Sequence, residues 1–510
     1  MNLDLKKVMA LCGVLILSQF INAQNFNRPT PNEYNQYEFQ RYDSTLTDYY
    51  YLVAPYYHKG PTLATAQKAL YVLDEDGYIA WMTQDENKHF DFKYHPNVNR
   101  YSFARRNQGV RLHYELNEQF EMVDSTFTIN GVNGDIHELQ IFPNGNRCIL
   151  GTQPHYNVDL SGYTFYNGDV GTTNNTVVGA VIQEFDTNGN LVFEWDSFNH
   201  LTPDYFASGP YNPNNFDYVH ANAIALDTTD NNLLVSFKTA NLVCKIDHVT
   251  GNVIWRLNGN FSDFTFPNDN GFSGQHDIRL LPNGNVSIFD NDYGNDAPRG
   301  VEYSLDMNNM EATKVQEWPY WFNFYSNSLG SFRRITDGYH LVCWGNTRRP
   351  QPSVTLFDEN FDIATDLFFE DTIVSYRAFM QKLPNFPTRP EIQCEMVGDS
   401  MLLSVSGTHN YYAWSTGELT SSITVSQAGE YQCWVDYGIG MLGSYPISID
   451  DITACSLNSI QEIEWEGETQ RIYFDLLGRI VDLPEPGQMY IVYTIDAAGK
   501  ISISKEIVAP

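Results

Sequence analysis

An all-β fold is predicted by three observations. Residues that favour strands and tight turns dominate, with Gly 35, Tyr 33 and Phe 31 among 510 residues and Asn abundant throughout. No long segment carries the apolar periodicity of a helix. A strand–turn–strand unit recurs from about residue 45 to about residue 385. At this length, with 42% apolar residues, the chain is expected to hold more than one domain and a large core.

The repeat has an outer-hairpin form: an Asp, a Gly or Asn turn, then apolar residues ending in Trp. It reads Leu73-Asp74-Glu75-Asp76-Gly77 to Trp81, Phe185-Asp186-Thr187-Asn188-Gly189 to Trp195, and Ile246-Asp247-His248-Val249-Thr250-Gly251 to Trp255. Weaker copies run from Asp306 to Trp318 and through Phe357-Asp358-Glu359-Asn360. The turn glycines Gly284 and Gly338 lie 54 residues apart, which suits a four-stranded blade of roughly 40–50 residues plus loops. Over 24–385 that spacing predicts a six-bladed β-propeller, five or seven blades also being compatible. A propeller covers its strand edges by radial repetition and makes its inner strands converge on an axis.

The flanks differ in character. Residues 1–23 read as a secretory signal peptide: Lys6 and Lys7, an apolar run from Val8 to Phe20, and the small-residue site Ile21-Asn22-Ala23. That run is too short for a good membrane span, and no second candidate exists, so an exported protein is expected. From Pro387-Thr388-Arg389-Pro390, residues 386–455 read as a small β-sandwich. The segments are Met401 to Val405, Tyr411 to Trp414, Ser422 to Val425 and Gly429 to Val435, resembling immunoglobulin-like modules of secreted bacterial proteins. Over 456–510, Asp475-Leu476-Leu477-Gly478-Arg479, then Gly487-Gln488-Met489-Tyr490-Ile491-Val492, then a terminal strand with Lys505 resemble the C-terminal sorting domain of type IX secretion. That resemblance implies a secretion-machinery partner and release or attachment at the cell surface.

A net charge of −32 argues against nucleic acid and anionic membranes as partners, and makes an anionic substrate depend on a local cluster of donors. The cysteines outside the signal lack the spacing of a zinc site, and a disulfide among Cys394, Cys433 and Cys455 is compatible with the sequence. Three histidines recur at matching places: Asp135-Ile136-His137-Glu138-Leu139, Asp217-Tyr218-Val219-His220-Ala221-Asn222 and Gly274-Gln275-His276-Asp277-Ile278. His137 and His276 each precede a Pro-Asn-Gly-Asn turn, with Gly145 and Gly284, and an apolar strand. A unit that keeps presenting an imidazole at the start of the same strand is expected to aim those rings at one centre. The fourth aligned repeat has Gly330 in that place, which supplies room rather than chemistry.

These segments, with Leu234-Val235-Ser236-Phe237-Lys238, Lys245-Ile246-Asp247 and Phe289-Asp290-Asn291, resemble the core of the bacterial arylsulfotransferases over most of residues 65 to 350. The resemblance implies a secreted propeller that moves a sulfuryl group from a phenolic sulfate ester to a phenol, with no nucleotide donor, metal or other cofactor. It implies His276 as the nucleophile that becomes sulfated, and His137, His220 and Asn222 as anion-binding and acid/base partners. Lys238 stands where that family usually has arginine, replacing a planar fork by a point charge. A neutral imidazole is a competent nucleophile, and a covalent intermediate gives ping-pong kinetics. Fixed donors around the moving group stabilise its charge.

Arg279 and Arg299 are expected to pair with carboxylates, and His155, His200, His248 and His340 receive no role. The oxygen-rich stretch Asp290-Asn291-Asp292, with Asn295 and Asp296, has the density of a calcium loop without its order, and reads first as a solvated turn. The alternative function is a non-catalytic secreted propeller for binding or adhesion. A third reading, a quinone-dependent dehydrogenase, rests on the single string Asp247 to Trp255.

Overall fold

The computed structural model describes residues 24–449, apart from 32–33, 35, 43–45, 58–68, 84–87, 108–109, 296, 322, 337 and 371–372, and three strands beyond. The signal-peptide expectation over 1–23 lies outside the described residues, as do Asp475 to Gly487 of the sorting-domain resemblance. Two compact units are present, Met1–Ser456 and Leu457–Pro510. In the second, Gln470–Phe474, Met489–Ile495 and Ile501–Ile507 form an antiparallel sheet in chain order.

The described residues of the first unit are all-β, apart from two 3₁₀ turns, Ser197–Asn199 and Pro203–Tyr205. Among the described residues no helix is long and apolar enough to cross a membrane. Five successive antiparallel sheets begin with His89–His95, Asn133–Ile141, Ala221–Asp227, His276–Leu280 and Ser331–Arg334, and each continues outward through three strands in chain order. The sixth is built from both ends of the region: Ile373–Lys382 pairs with Tyr49–Tyr57, which leads to Tyr71–Leu73 and Ile79–Thr83. The starting strands lie against one another in order, and Ile373–Lys382 lies against both Ser331–Arg334 and His89–His95, closing the ring.

The outer hairpins follow the Asp–turn–Trp pattern for a local reason. Asp186 Oδ1 accepts from the backbone N–H groups of Asn188 and Asn190, and Asp74, Asp247, Asp306 and Asp358 do the same in their own turns. A short carboxylate can satisfy a turn's backbone where no strand partner exists.

Residues 386–449 are woven into this unit. Gly440–Gly443 pairs with Ile79–Thr83 and is followed by Cys433–Tyr437 and Tyr412–Trp414, making one seven-stranded sheet. An edge strand that would otherwise present unpaired backbone is thereby covered. Trp81 stacks on Phe120 at 4.0 Å, in the same core as Leu403, Trp414 and Val435. Buried Arg389 fastens the junction, pairing with Asp74 at 2.6 Å and donating to Gly443 O. Cys394 is disulfide-bonded, whereas Cys148, Cys244, Cys343 and Cys433 are buried free thiols.

Five of the six starting strands lose register with their neighbour at a bulge: around Asp91, between Gly134 and Leu139, at Asn222, at Asp277 and at Tyr376–Arg377. A bulge turns side chains that regular pleating would send elsewhere. Here they turn toward one another. Arg377, fully buried, reaches Asp91 at 2.7 Å, Glu138 at 2.8 Å and the backbone oxygen of Asn222 at 2.7 Å. Asp277 holds Arg279 at 2.7 Å and Arg333 at 2.6 Å, and Glu138 also holds Arg279. Lys93 reaches Asp91 at 2.7 Å and Glu138 at 2.5 Å. Every starting strand contributes a member. Burial opposes the Glu138 charge, yet Arg279, Arg377 and Lys93 hold its pKa well below the usual carboxylate range. Truncating one partner of a buried ionic set strands its counter-charges. Arg377→Met is therefore expected to cost about 3–5 kcal/mol in denaturant unfolding; a loss below about 1 kcal/mol would show that the set does not hold the ring together.

Candidate functional site

The bulges also place the histidines. His137 lies in the bulge of Asn133–Ile141, where Asp135 Oδ1 accepts from its backbone N–H at 2.7 Å and bonds its Nδ1. His220 precedes Ala221–Asp227 in a left-handed conformation, φ +49°, and Asp217 accepts from its backbone N–H at 3.1 Å and faces its Nδ1 at 2.6 Å. Burial opposes the Asp135 charge, but the His137 ring and its hydrogen bonds hold that carboxyl well below its usual range. A carboxylate at Nδ1 keeps the proton there and turns Nε2 outward.

His276 opens its strand with the same tautomer and a neutral partner. Asn291 Oδ1 lies 2.7 Å from His276 Nδ1, and Asn291 Nδ2 donates to Ser326 O at 2.8 Å and Leu329 O at 3.0 Å. Those two carbonyls fix the amide's orientation, so the ring must carry its proton on Nδ1. Nε2 consequently holds the lone pair, and it accepts from the Leu329 N–H at 3.2 Å. Burial first, then the charge of Lys238, push the His276 pKa well below the usual imidazole value, so the ring is neutral.

The rings gather at one place. His137 and His220 are 5.0 Å apart between centroids, and Tyr376 lies 5.4 Å from His137 and 6.4 Å from His276. Burial pushes the Tyr376 phenol well above its usual pKa, so it remains a donor, and its O–H reaches Asn222 O at 3.4 Å. Access differs among the three rings: the side chains of His137 and His220 are 13% and 32% exposed, whereas His276 is 2% exposed and covered by the Leu329 backbone.

Asn222 and Lys238 flank the cluster. Asn222 Nδ2 donates to Gln275 O at 2.8 Å, and its Oδ1 is buried without a hydrogen-bond partner among the described residues. One of its N–H groups is thus already engaged with the backbone. Lys238 follows Asn232–Phe237, donates its backbone N–H to His220 O at 2.9 Å and places Nζ 6.0 Å from the Tyr293 ring centre. At Gly330, φ +107°, the Phe289 ring packs where a Cβ would stand, at 2.2 Å. Arg279 and Arg299 are paired as expected, Arg299 with Asp290, Asp269 and Glu317. In the oxygen-rich stretch, Asp290 answers Arg299 and burial raises its pKa to about 6, while Asn291 serves His276. Among the described residues no group of His, Cys, Asp or Glu is placed to hold a metal ion.

Four members of the cluster were not singled out from sequence. An Asp two or three residues before each of His137 and His220 is a readable signal, whereas Asn291 carries no mark beyond its motif and Tyr376 sits in a strand with no repeat to mark it.

No curated protein matches the chain. Among solved structures, a protein of unknown function from Bacteroides caccae aligns at 10% identity over 66% of this chain and 99% of its own, with a TM-score of 0.39. TolB from Acinetobacter baumannii aligns at 12% identity over 64% and 66%, with a TM-score of 0.35. Both scores are too low to establish a common fold. The sequence model of the arylsulfotransferase (ASST) family matches residues 36–359, nearly two thirds of the chain. The chain belongs to the arylsulfotransferase family, whose members are sulfotransferases acting on aryl substrates.

Proposed function

We propose that the ring of six sheets is a six-bladed propeller and that its centre transfers sulfuryl groups between phenols through a sulfated His276. The observation that carries the reading is the state of His276: neutral, with its proton held on Nδ1 by Asn291 and its lone pair on Nε2. In the first half-reaction Nε2 attacks sulfur and the bond from sulfur to the aryl oxygen breaks. The departing phenoxide takes a proton from Nε2 of His137 or His220, each held at Nδ1 by a carboxylate. In the second, a phenol gives its proton to the same histidine and attacks sulfur; the N–S bond breaks and neutral His276 returns. Two half-reactions through one intermediate predict ping-pong kinetics.

Charge on the sulfuryl oxygens is met by Lys238 and by the ionic set, where Lys93, Arg279, Arg333 and Arg377 face only Asp91, Glu138 and Asp277. Attack on sulfur requires the Leu329 N–H to leave Nε2, so the segment around Leu329 must shift when the donor enters. The amino-terminal segment and the carboxy-terminal unit fit export to the cell exterior as the working location.

The test is phenol release from a chromogenic phenyl sulfate that depends on an added phenol. His276→Asn should abolish it with thermal unfolding unchanged; release persisting in that variant would overturn the assignment. Asn291→Leu keeps the shape but cannot accept from Nδ1, and should lower kcat by about 100-fold or more by allowing the wrong tautomer. Lys238→Met removes a charge that depresses the His276 pKa. With that charge gone the folded-state pKa rises, His276 takes up its proton at higher pH, and the acid limb of the rate profile should move upward.

A further inference from the structure

A cavity of about 420 Å³, lined by Tyr325, Asn346, Arg348 and Gln351, adjoins the segment that covers His276. Asn346 donates its backbone N–H to Ser328 O at 3.0 Å, and the next residue, Leu329, donates to His276 Nε2 at 3.2 Å. With a single planar peptide between those two bonds, the Asn346 backbone lies within about 8–9 Å of Nε2. The Ser328–Leu329 peptide stands between the two, and once that covering segment shifts the span is the reach of a para-substituted phenol. The volume falls within the range of small-molecule sites.

The lining is selective. Tyr325 is 53% exposed and offers a ring face, while Asn346 and Gln351 offer amides. Arg349 is committed to Glu38 at 2.6 Å, but no carboxylate among the described residues pairs with Arg348. In a chain of net charge −32, a guanidinium left without a carboxylate beside a cavity marks a place for an incoming anion. We infer that this cavity receives the far end of the aromatic substrate, and that Arg348 selects phenols bearing an anionic substituent such as a carboxylate. The orientation of the ring, hydroxyl toward His276 and anion toward Arg348, rests on the function proposed above.

Equilibrium binding tests this without requiring turnover. Titration calorimetry of the full chain should give para-hydroxybenzoate a Kd about 10-fold tighter than that of phenol. Arg348→Gln should erase that preference while leaving phenol binding unchanged. Equal affinities in the wild type, or a preference that survives R348Q, would overturn the inference. A preference that behaves as expected, in protein that transfers sulfuryl groups to neither phenol, would support the anion site and count against the transfer reading alone.

Discussion

Everything at the centre of this protein depends on one buried ionic set. Arg377 joins Asp91 and Glu138 and reaches the backbone of Asn222, while Asp277 gathers Arg279 and Arg333. The partners are drawn from all six starting strands, so the charges can be satisfied only when those strands converge. Burying charges is costly unless geometry and hydrogen bonding compensate. The bulges supply that geometry, turning Asp91, Glu138, Asn222, Asp277 and Arg377 inward at the cost of regular pairing. The same distortions carry His137 and adjoin His220 and His276, so the structural hub and the histidine cluster arise from one departure from regular sheet.

Two designs for presenting an imidazole follow. His137 and His220 are backed by carboxylates and partly open, which suits holding and moving a proton. His276 is backed by a neutral amide and buried beside a cation, which suits an uncharged lone pair. The difference lies in the partner at Nδ1 and in solvent access. It separates roles that identical side chains would otherwise share.

Much of this was legible in sequence. The three histidines repeat in register, and they do gather; the Asp-led hairpins form where the Asp–turn–Trp pattern placed them. What escaped had no local signature. Ile373–Lys382 completes a sheet with Tyr49–Tyr57 from the far end of the region, and nothing in its apolar pattern announces Tyr376 and Arg377 as central. The pairing of Gly440–Gly443 with Ile79–Thr83 depends on an edge some 360 residues earlier. The cover over His276 depends on the backbone of Leu329, held in a left-handed conformation that its side chain does not advertise.

The most direct measurement is the mass of the peptide containing His276 after the protein meets an aryl sulfate at neutral pH with no acceptor present. The account predicts one sulfuryl group on that imidazole, discharged when a phenol is added. Phenol release with the His276 peptide unmodified, or with the group carried on another residue, would contradict it.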